Sequence, residues 1–440
     1  LLNIILATNP GKLPPSLPCS KSANLVIGYR YLFLYITSSI WIKFLKAAFL
    51  VHELREFYDI IIIGAGPAGL NAGMHIINAG FDKSVLLVDK TTPWDHPIAC
   101  AEGVGKLGFE ESVTIRKSWI RQEIKYARFH APDGSVISYR DKNGGYIIDR
   151  ALMQKEMASQ LESSGIQCLF NRKVLNIQPP VRGFRTVVFE NGQKCTTRVI
   201  IDASGPLCCF GKEEKINCKP GDLEPSYFAW VENINIEQDH IHIYAGKELA
   251  PGGYAWVFPR GENAANIGIV LGRHAITHAN LRELLHTFLS RHYPSVKIVQ
   301  RFAGAIPCAF KKVPIAIPGF IKTGDAANTV NPISRAGISE ALLCGGLAGD
   351  AALKMVGTET NRQLLSICNE YQNEWFKKRG NRHIKLAKVK NSLLAVPDED
   401  YNNGTRLLSS IPREELTMSK IFTASLGRFP RLVWALRHLM

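Results

Sequence analysis

Tyr58 to Phe81 reads YDIIIIGAGPAGLNAGMHIINAGF, and the fold follows from how this stretch changes character along its length. Ile60 to Ile63 is an unbroken apolar run, suited to a strand covered on both faces. It leads straight into Gly64-Ala-Gly66-Pro67-Ala68-Gly69, and a helical pattern follows. In this spacing Gly64 allows a tight turn, Gly66 lets the backbone approach a pyrophosphate, and Gly69 lets helix and strand pack closely. Pro67 and Ala68 open the helix, whose unpaired N–H groups and positive dipole end suit phosphate. A second strand, VLLVD, ends at Asp89, 20 residues beyond Gly69, where a carboxylate accepts from ribose hydroxyls; Lys90 follows it. Strand, glycine turn, helix, strand and acid define a Rossmann-type dinucleotide-binding unit. By itself the motif leaves FAD and NAD(P) both open.

The totals fit a globular enzyme. The chain has 440 residues, 46% of them hydrophobic, which excludes disorder along its whole length. Its ten cysteines form no CxxC pairs and no disulfide framework, so reduced thiols in a cytosolic protein are expected and no metal site is. The net charge of +15 is concentrated at the two ends. With no basic stripe interleaved with aromatics, the charge suits a membrane surface or a solvated face, not a nucleic acid.

A second stretch, GFIKTGDAANTVNPISRAGISEALLCGGLAGD, reads as strand, loop and long helix. It resembles a flavoprotein segment in which the aspartate after the strand binds the ribityl chain and the next helix points its N-terminus at the flavin ring. On that resemblance Gly324 and Asp325, with Gly337 and Ile338 at the helix start, are cofactor-binding residues, and the cofactor is FAD. Between the two motifs GYIIDRALMQKEMASQ leads from a strand into a helix, with Arg150 placed to reach the flavin or its pyrophosphate. RVIIDASGP marks the return to the first domain, and β-rich runs with aromatics follow from Glu224 onward.

The expected architecture is α/β plus β-rich. A discontinuous FAD-binding domain (57–220 and 302–356) carries an inserted antiparallel-sheet substrate domain (221–301). A helical, basic region (357–440) ends the chain. Residues 1–56 are expected as an apolar, basic extension, disordered or membrane-proximal. Its run Tyr31 to Val51 is as long as a membrane span, but Lys43 and Lys46 interrupt it.

Three stretches in order, HPIACAEG, GYAWVFPRGENAANIG and GDAANTVNPISRAGI, resemble the geranylgeranyl reductase family. These are FAD enzymes that saturate carbon–carbon double bonds in isoprenoid chains, and the resemblance spans about residues 57–390. It implies a long apolar pocket lined by Tyr254, Trp256, Phe258 and Pro259, with Arg260 at the basic position. It also places the loop of Cys100, Ala101 and Glu102 beside flavin and pocket. Strand alternation independently puts Tyr254, Trp256 and Phe258 on one face. The chain departs from the family pattern at Arg335, where a glycine is usual, and at Arg260, where lysine is more usual.

The implied chemistry is hydride from reduced flavin to one alkene carbon and a proton to the other, in a dry pocket. Cys100 and Glu102 are the candidate catalytic residues; Cys100, Glu102 or water could give the proton. The electron donor is expected to be NADPH or reduced ferredoxin, and the partner an isoprenoid lipid or prenylated small molecule. The expected location is cytoplasmic, with peripheral contact on the inner membrane face. The alternatives are an FAD monooxygenase of an aromatic or terpenoid, a flavin-using cyclase without net redox, and a flavin electron-transfer protein to a quinone.

Overall fold

The computed structural model describes residues 53–95, 98–207, 210–212, 216, 222–275, 279–309, 311–394 and 396–411. The run Tyr31 to Val51, His96 and Pro97 of the cysteine loop, and the basic tail beyond Ile411 lie outside the described residues.

In chain order the first elements are β1 (Phe57–Ile63), α1 (Pro67–Asn78), β2 (Val85–Val88), β3 (Gly103–Gly105), α2 (Lys106–Glu110), β4 (Ile120–His130), β5 (Val136–Ile148) and α3 (Arg150–Ser163). There follow β6 (Gln167–Leu169), β7 (Val174–Ile177), β8 (Arg185–Phe189), β9 (Lys194–Asp202), β10 (Asp222–Glu232), β11 (His240–Tyr244), β12 (Tyr254–Pro259) and β13 (Ala264–Val270). The remainder are α4 (Leu281–His292), β14 (Lys297–Cys308), β15 (Ala316–Ile317), β16 (Phe320–Lys322), α5 (Ile338–Val356), α6 (Asn361–Trp375), α7 (Asn381–Leu394) and α8 (Asp398–Ser409).

The apolar run Ile60 to Ile63 forms the middle of the first sheet and is buried on both faces. β1 pairs in parallel with β2, Ile60 opposite Val85, and with β9, Ile60 opposite Val199. The sheet runs β15-β16-β9-β1-β2-β6, with β7 and β8 attached to β9. Because β2 and β9 lie on opposite sides of β1, strand order reverses there, and a crevice for ligand opens beyond its C-terminal end. Leu70 of α1, Met157 of α3 and Leu342 of α5 pack into one apolar core with the strands. α1 and α5 approach closely because a Cβ at Gly345 or Gly349 would collide with the α1 backbone.

The second sheet runs β14-β10-β13-β12-β11-β4-β5-β3. It is antiparallel except where β11 lies parallel to β4, His240 opposite Tyr126. Strands β3 to β5, from the segment 103–148, therefore pair in this sheet, although the sequence reading grouped them with the first domain. β3 and β4 both pair with β5, and only the β4–β11 pairing reaches far along the chain; β5 hands directly to α3 through Asp149, whose carboxylate accepts from the Leu152 N–H. α4 covers one face, burying Leu285 and Phe288 against Ala255, Val257, Ile267 and Ile269. The other face carries Phe228, Trp256 and Phe302, with Tyr254, Phe258, Trp230 and Ala101 packed around them. From that face the Tyr254 hydroxyl reaches the Ser334 carbonyl, in the loop that leads into α5. Among the described residues no helix is long and apolar enough to cross a membrane.

Candidate functional site

The site begins at the glycine turn. Gly64 has φ +108°, and a Cβ there would collide with the Ala203 carbonyl; one at Gly69 would collide with the Gly64 carbonyl. Gly66 is different: a Cβ there would meet no atom within 4 Å. α1 starts at Pro67 with no side-chain cap on its first N–H groups. Open space above uncapped donors fits a pyrophosphate. Asp89 closes the turn from below, accepting from the Ala65 N–H at 2.8 Å and from Thr91 N at 2.9 Å. Lys90 beside it is exposed.

The second motif arrives from the far end of the chain. Gly324 has φ +60°, and a Cβ on it would press on the Ala68 methyl at 2.7 Å. Asp325 therefore stands beside the start of α1. Burial pushes its carboxyl up to about 6, with the Arg150 guanidinium pulling the other way. α5 also starts without a side-chain cap, at Gly337, whose Cβ would lie 3.9 Å from the Asp325 carboxylate; Ile338 behind it is buried. Two uncapped helix starts and a half-buried aspartate thus converge. They suit a ligand carrying phosphate at one end and a ring that gains negative charge at the other.

Between this centre and the aromatic face runs the cysteine loop. The Cys100 carbonyl accepts from Asn266 Nδ2 at 2.9 Å, and Asn266 Oδ1 accepts from Trp256 Nε1 at 2.9 Å. The Glu102 N–H points to Cys100 Sγ at 3.2 Å. Glu102 has φ +64° and is 3% exposed. Its carboxylate is ion-paired with Arg260 and accepts from the Arg150 N–H at 3.2 Å. Both partners are donors, so in this arrangement the Glu102 carboxylate serves as an acceptor. Arg260 lies over the Trp230 ring at 4.0 Å; burial pulls it down to about 10, which leaves it a cation at neutral pH. The Arg150 side chain donates to Gln154, which donates in turn to the Ala65 carbonyl of the glycine turn. The loop is thereby fastened to the second sheet on one side and to α3 and the glycine turn on the other.

On β12, Tyr254, Trp256 and Phe258 share one face, while Ala255 and Val257 pack under α4. Pro259 is buried and alternates to the face opposite Phe258. Phe258 also reaches the cysteine loop, 3.0 Å from where a Cβ on Gly103 would stand. The Tyr254 hydroxyl donates to the Ser334 carbonyl at 2.6 Å, and burial holds its phenol up at about 12. Arg335 next to it is turned away from the convergence point. Its Nε donates to Glu224 at 2.7 Å and its Nη2 to the Gly252 carbonyl at 3.1 Å.

The sequence reading did not single out Asn266, Gln154, Glu224 or Lys390. Asn266 left one signal, an amide in the middle of the apolar strand AANIGIV. Glu224 and Lys390, which are ion-paired, left none, since they lie 166 positions apart in the chain and only packing joins them.

A doubly wound parallel domain with this glycine turn and convergent helix starts, facing the aromatic side of a second sheet, defines a flavin-dependent oxidoreductase. The family model of the geranylgeranyl reductase catalytic domain matches residues 222–306, and that of lycopene cyclase protein matches residues 59–219. A digeranylgeranylglycerophospholipid reductase of Methanosarcina acetivorans is 28% identical, with 88% of this chain and 97% of that protein aligned. One from Methanothrix thermoacetophila is 29% identical over 87% of this chain and 99% of that one. The chain is thus similar, over most of its length, to reductases of geranylgeranyl groups. The crystal structure of a geranylgeranyl bacteriochlorophyll reductase-like protein from Thermoplasma acidophilum shares the fold, with a TM-score of 0.78, 24% identity, and coverage of 88% of this chain and 100% of that one. A flavin-dependent brominase shares it more loosely, with a TM-score of 0.60, 15% identity, and coverage of 85% of this chain and 99% of that one.

Proposed function

We propose that this chain is an FAD-dependent reductase that saturates carbon–carbon double bonds of geranylgeranyl or related isoprenoid chains carried on a lipid. One observation carries the reading. Asn266 and Arg260 tie the Cys100 loop to the aromatic sheet, and Arg150 ties it to the dinucleotide side. A thiol is thus held between a dinucleotide crevice and an apolar wall. Gly64, Gly66, Pro67, Ala68, Gly69 and Asp89 would hold the phosphates and ribose, with Lys90 at the rim. Asp325, Gly337 and Ile338 would hold the flavin end. When bound, the flavin supplies the hydride.

The protein's share is to exclude water, to align the chain and to deliver one proton. The face of Tyr254, Trp256 and Phe258, backed by Phe228 and Phe302, excludes water. Cys100 gives its proton to the second alkene carbon and regains one from water, so the product gains two hydrogens and the protein returns unchanged. Glu102 and Arg260 neutralise each other and hold the loop. The electron donor is NADPH or reduced ferredoxin. The exposed cations of α7 support peripheral contact with an anionic membrane that carries the substrate.

Chemically reduced, FAD-loaded protein given a geranylgeranylated lipid in detergent should return product heavier by two hydrogens per double bond in mass spectrometry. Cys100→Ala should keep its flavin absorbance and lose about a hundredfold in turnover. Oxygen consumption with a hydroxylated product would overturn the reading in favour of a monooxygenase. Undiminished turnover in Cys100→Ala would remove the thiol from the mechanism.

A further inference from the structure

We propose that Asn266 is the positioning residue for Cys100, and that it couples the place of the thiol to the place of the Trp256 indole. The proposal rests on the reading of Cys100 as proton donor. Asn266 is wholly buried in β13, among alanine, isoleucine and valine. An amide in such a place destabilises the strand unless its groups are bonded. Both ends are. Trp256 Nε1 has a hydrogen to donate and nothing to accept with, so the amide must turn Oδ1 toward it. That orientation leaves Nδ2 facing the Cys100 carbonyl, at 2.9 Å. The indole therefore sets the amide, and the amide sets the loop.

The indole is itself fixed. A Cβ on Gly268 would collide with the Trp256 ring, so the ring occupies the space that the glycine leaves. Phe228 packs against it, ring centroids 5.7 Å apart. A chain of contacts thus runs from the apolar wall through one side chain to the residue that carries the thiol. Glu102 cannot replace Asn266 in this task. Its ion pair with Arg260 holds the loop two residues beyond Cys100, whereas Asn266 holds Cys100 at its own carbonyl. An isoprenoid chain pressing on Trp256 would accordingly be felt at Cys100. This would align proton delivery with a seated substrate.

Asn266→Ala removes both bonds. Asn266→Asp keeps the shape but sets a carboxylate oxygen against the Cys100 carbonyl. In FAD-loaded protein, iodoacetamide alkylation of Cys100, followed by peptide mass spectrometry, should speed up about tenfold in each variant. Turnover of the lipid should fall by about the same factor with KM little changed. In a Cys100→Ala background Asn266→Ala should add no further loss. Alkylation at the wild-type rate, or an equal loss of kcat in both backgrounds, would overturn the proposal and leave Asn266 a support of Trp256 alone. If Asn266→Ala fails to fold, the near-isosteric Asn266→Asp decides the alkylation test. A wild-type protein that reduces no prenyl chain would defeat the functional reading, while the alkylation arm would still decide what Asn266 does.

Discussion

Arg335 shows what one residue does where the family pattern has glycine. Its φ is +57°, in the left-handed region, at a cost of about 1 kcal/mol for a residue with a side chain. An arginine at this helix entrance is long enough to turn its charge toward the start of α5. The guanidinium goes instead to Glu224, which is fully buried and also receives Lys390 from α7, while Lys390 reaches Asp222 at 2.5 Å. Burial, the largest influence on Arg335, would pull its pKa down; Glu224 and Tyr254 outweigh it and hold the group above its ordinary value. Two cations and two carboxylates therefore balance, and the strained turn before α5 is fastened to β10. Glu224→Gln should unbalance the set, leaving buried cations short of a partner, and destabilise the protein by about 3 kcal/mol in denaturant titration. Arg335→Gly should cost less, because glycine adopts the turn freely and Lys390 still faces Glu224. The reverse order would mean that the arginine, not the carboxylate, is the keystone. The sequence could mark Arg335 as odd, since the motif shows it. It could not name Glu224, because a buried ion pair between distant segments has no local pattern.

At the scale of elements, the parallel pairing of β4 with β11 has a chemical consequence of its own. It sets His130 beside His242, Nε2 to Nδ1 at 3.0 Å, with the His130 ring stacked on Tyr244 at 4.0 Å. Tyr244 OH meets Tyr293 OH at 2.8 Å, and the Tyr244 and His292 rings lie 5.3 Å apart. Burial pulls His130 and His242 each down to about 4; Arg128 lowers both, His292 also lowers His130, and Glu237 pulls His242 back up. Both are neutral at pH 7. A histidine whose folded pKa lies below its unfolded value of about 6.5 contributes stability that is whole above 6.5 and lost as pH falls toward 4. The two share one hydrogen bond, so the loss belongs to the pair, at about 3 kcal/mol. Urea midpoints measured between pH 7.5 and 4.5 should fall accordingly, and His242→Gln should flatten the slope. An unchanged slope in that variant would place the acid sensitivity elsewhere. Strand alternation in HIHIY was legible in the sequence; the parallel partner that creates the pair was not, because β4 lies more than a hundred positions earlier and no turn connects them.

In the whole molecule, the proposed ligand site draws on both ends of the described chain, and the glycines of its turn have separable duties. The glycine turn was the most legible part of the sequence, because its constraints are local: a strand, three glycines and a helix in a fixed spacing. Less legible was which glycine guards the fold and which guards the ligand, since that depends on atoms contributed by other segments. Gly69 backs onto the Gly64 carbonyl, so Gly69→Ala forces the backbones of β1 and α1 apart and should lower stability by about 3 kcal/mol with or without FAD. Gly66 faces open space, and its φ of −77° is one that alanine adopts without strain. Gly66→Ala should therefore fold with the melting temperature of the ligand-free wild type. Its new methyl, however, would stand in the open space proposed for the pyrophosphate. FAD at a hundred times its Kd should raise wild-type stability by about 2.7 kcal/mol, and should do little for Gly66→Ala. Thermal melts of both variants, with and without FAD, separate the two duties. A Gly66→Ala protein that keeps the wild-type FAD shift would mean that the phosphates do not lie over this turn, and the joining of the two ends through one dinucleotide would have to be abandoned.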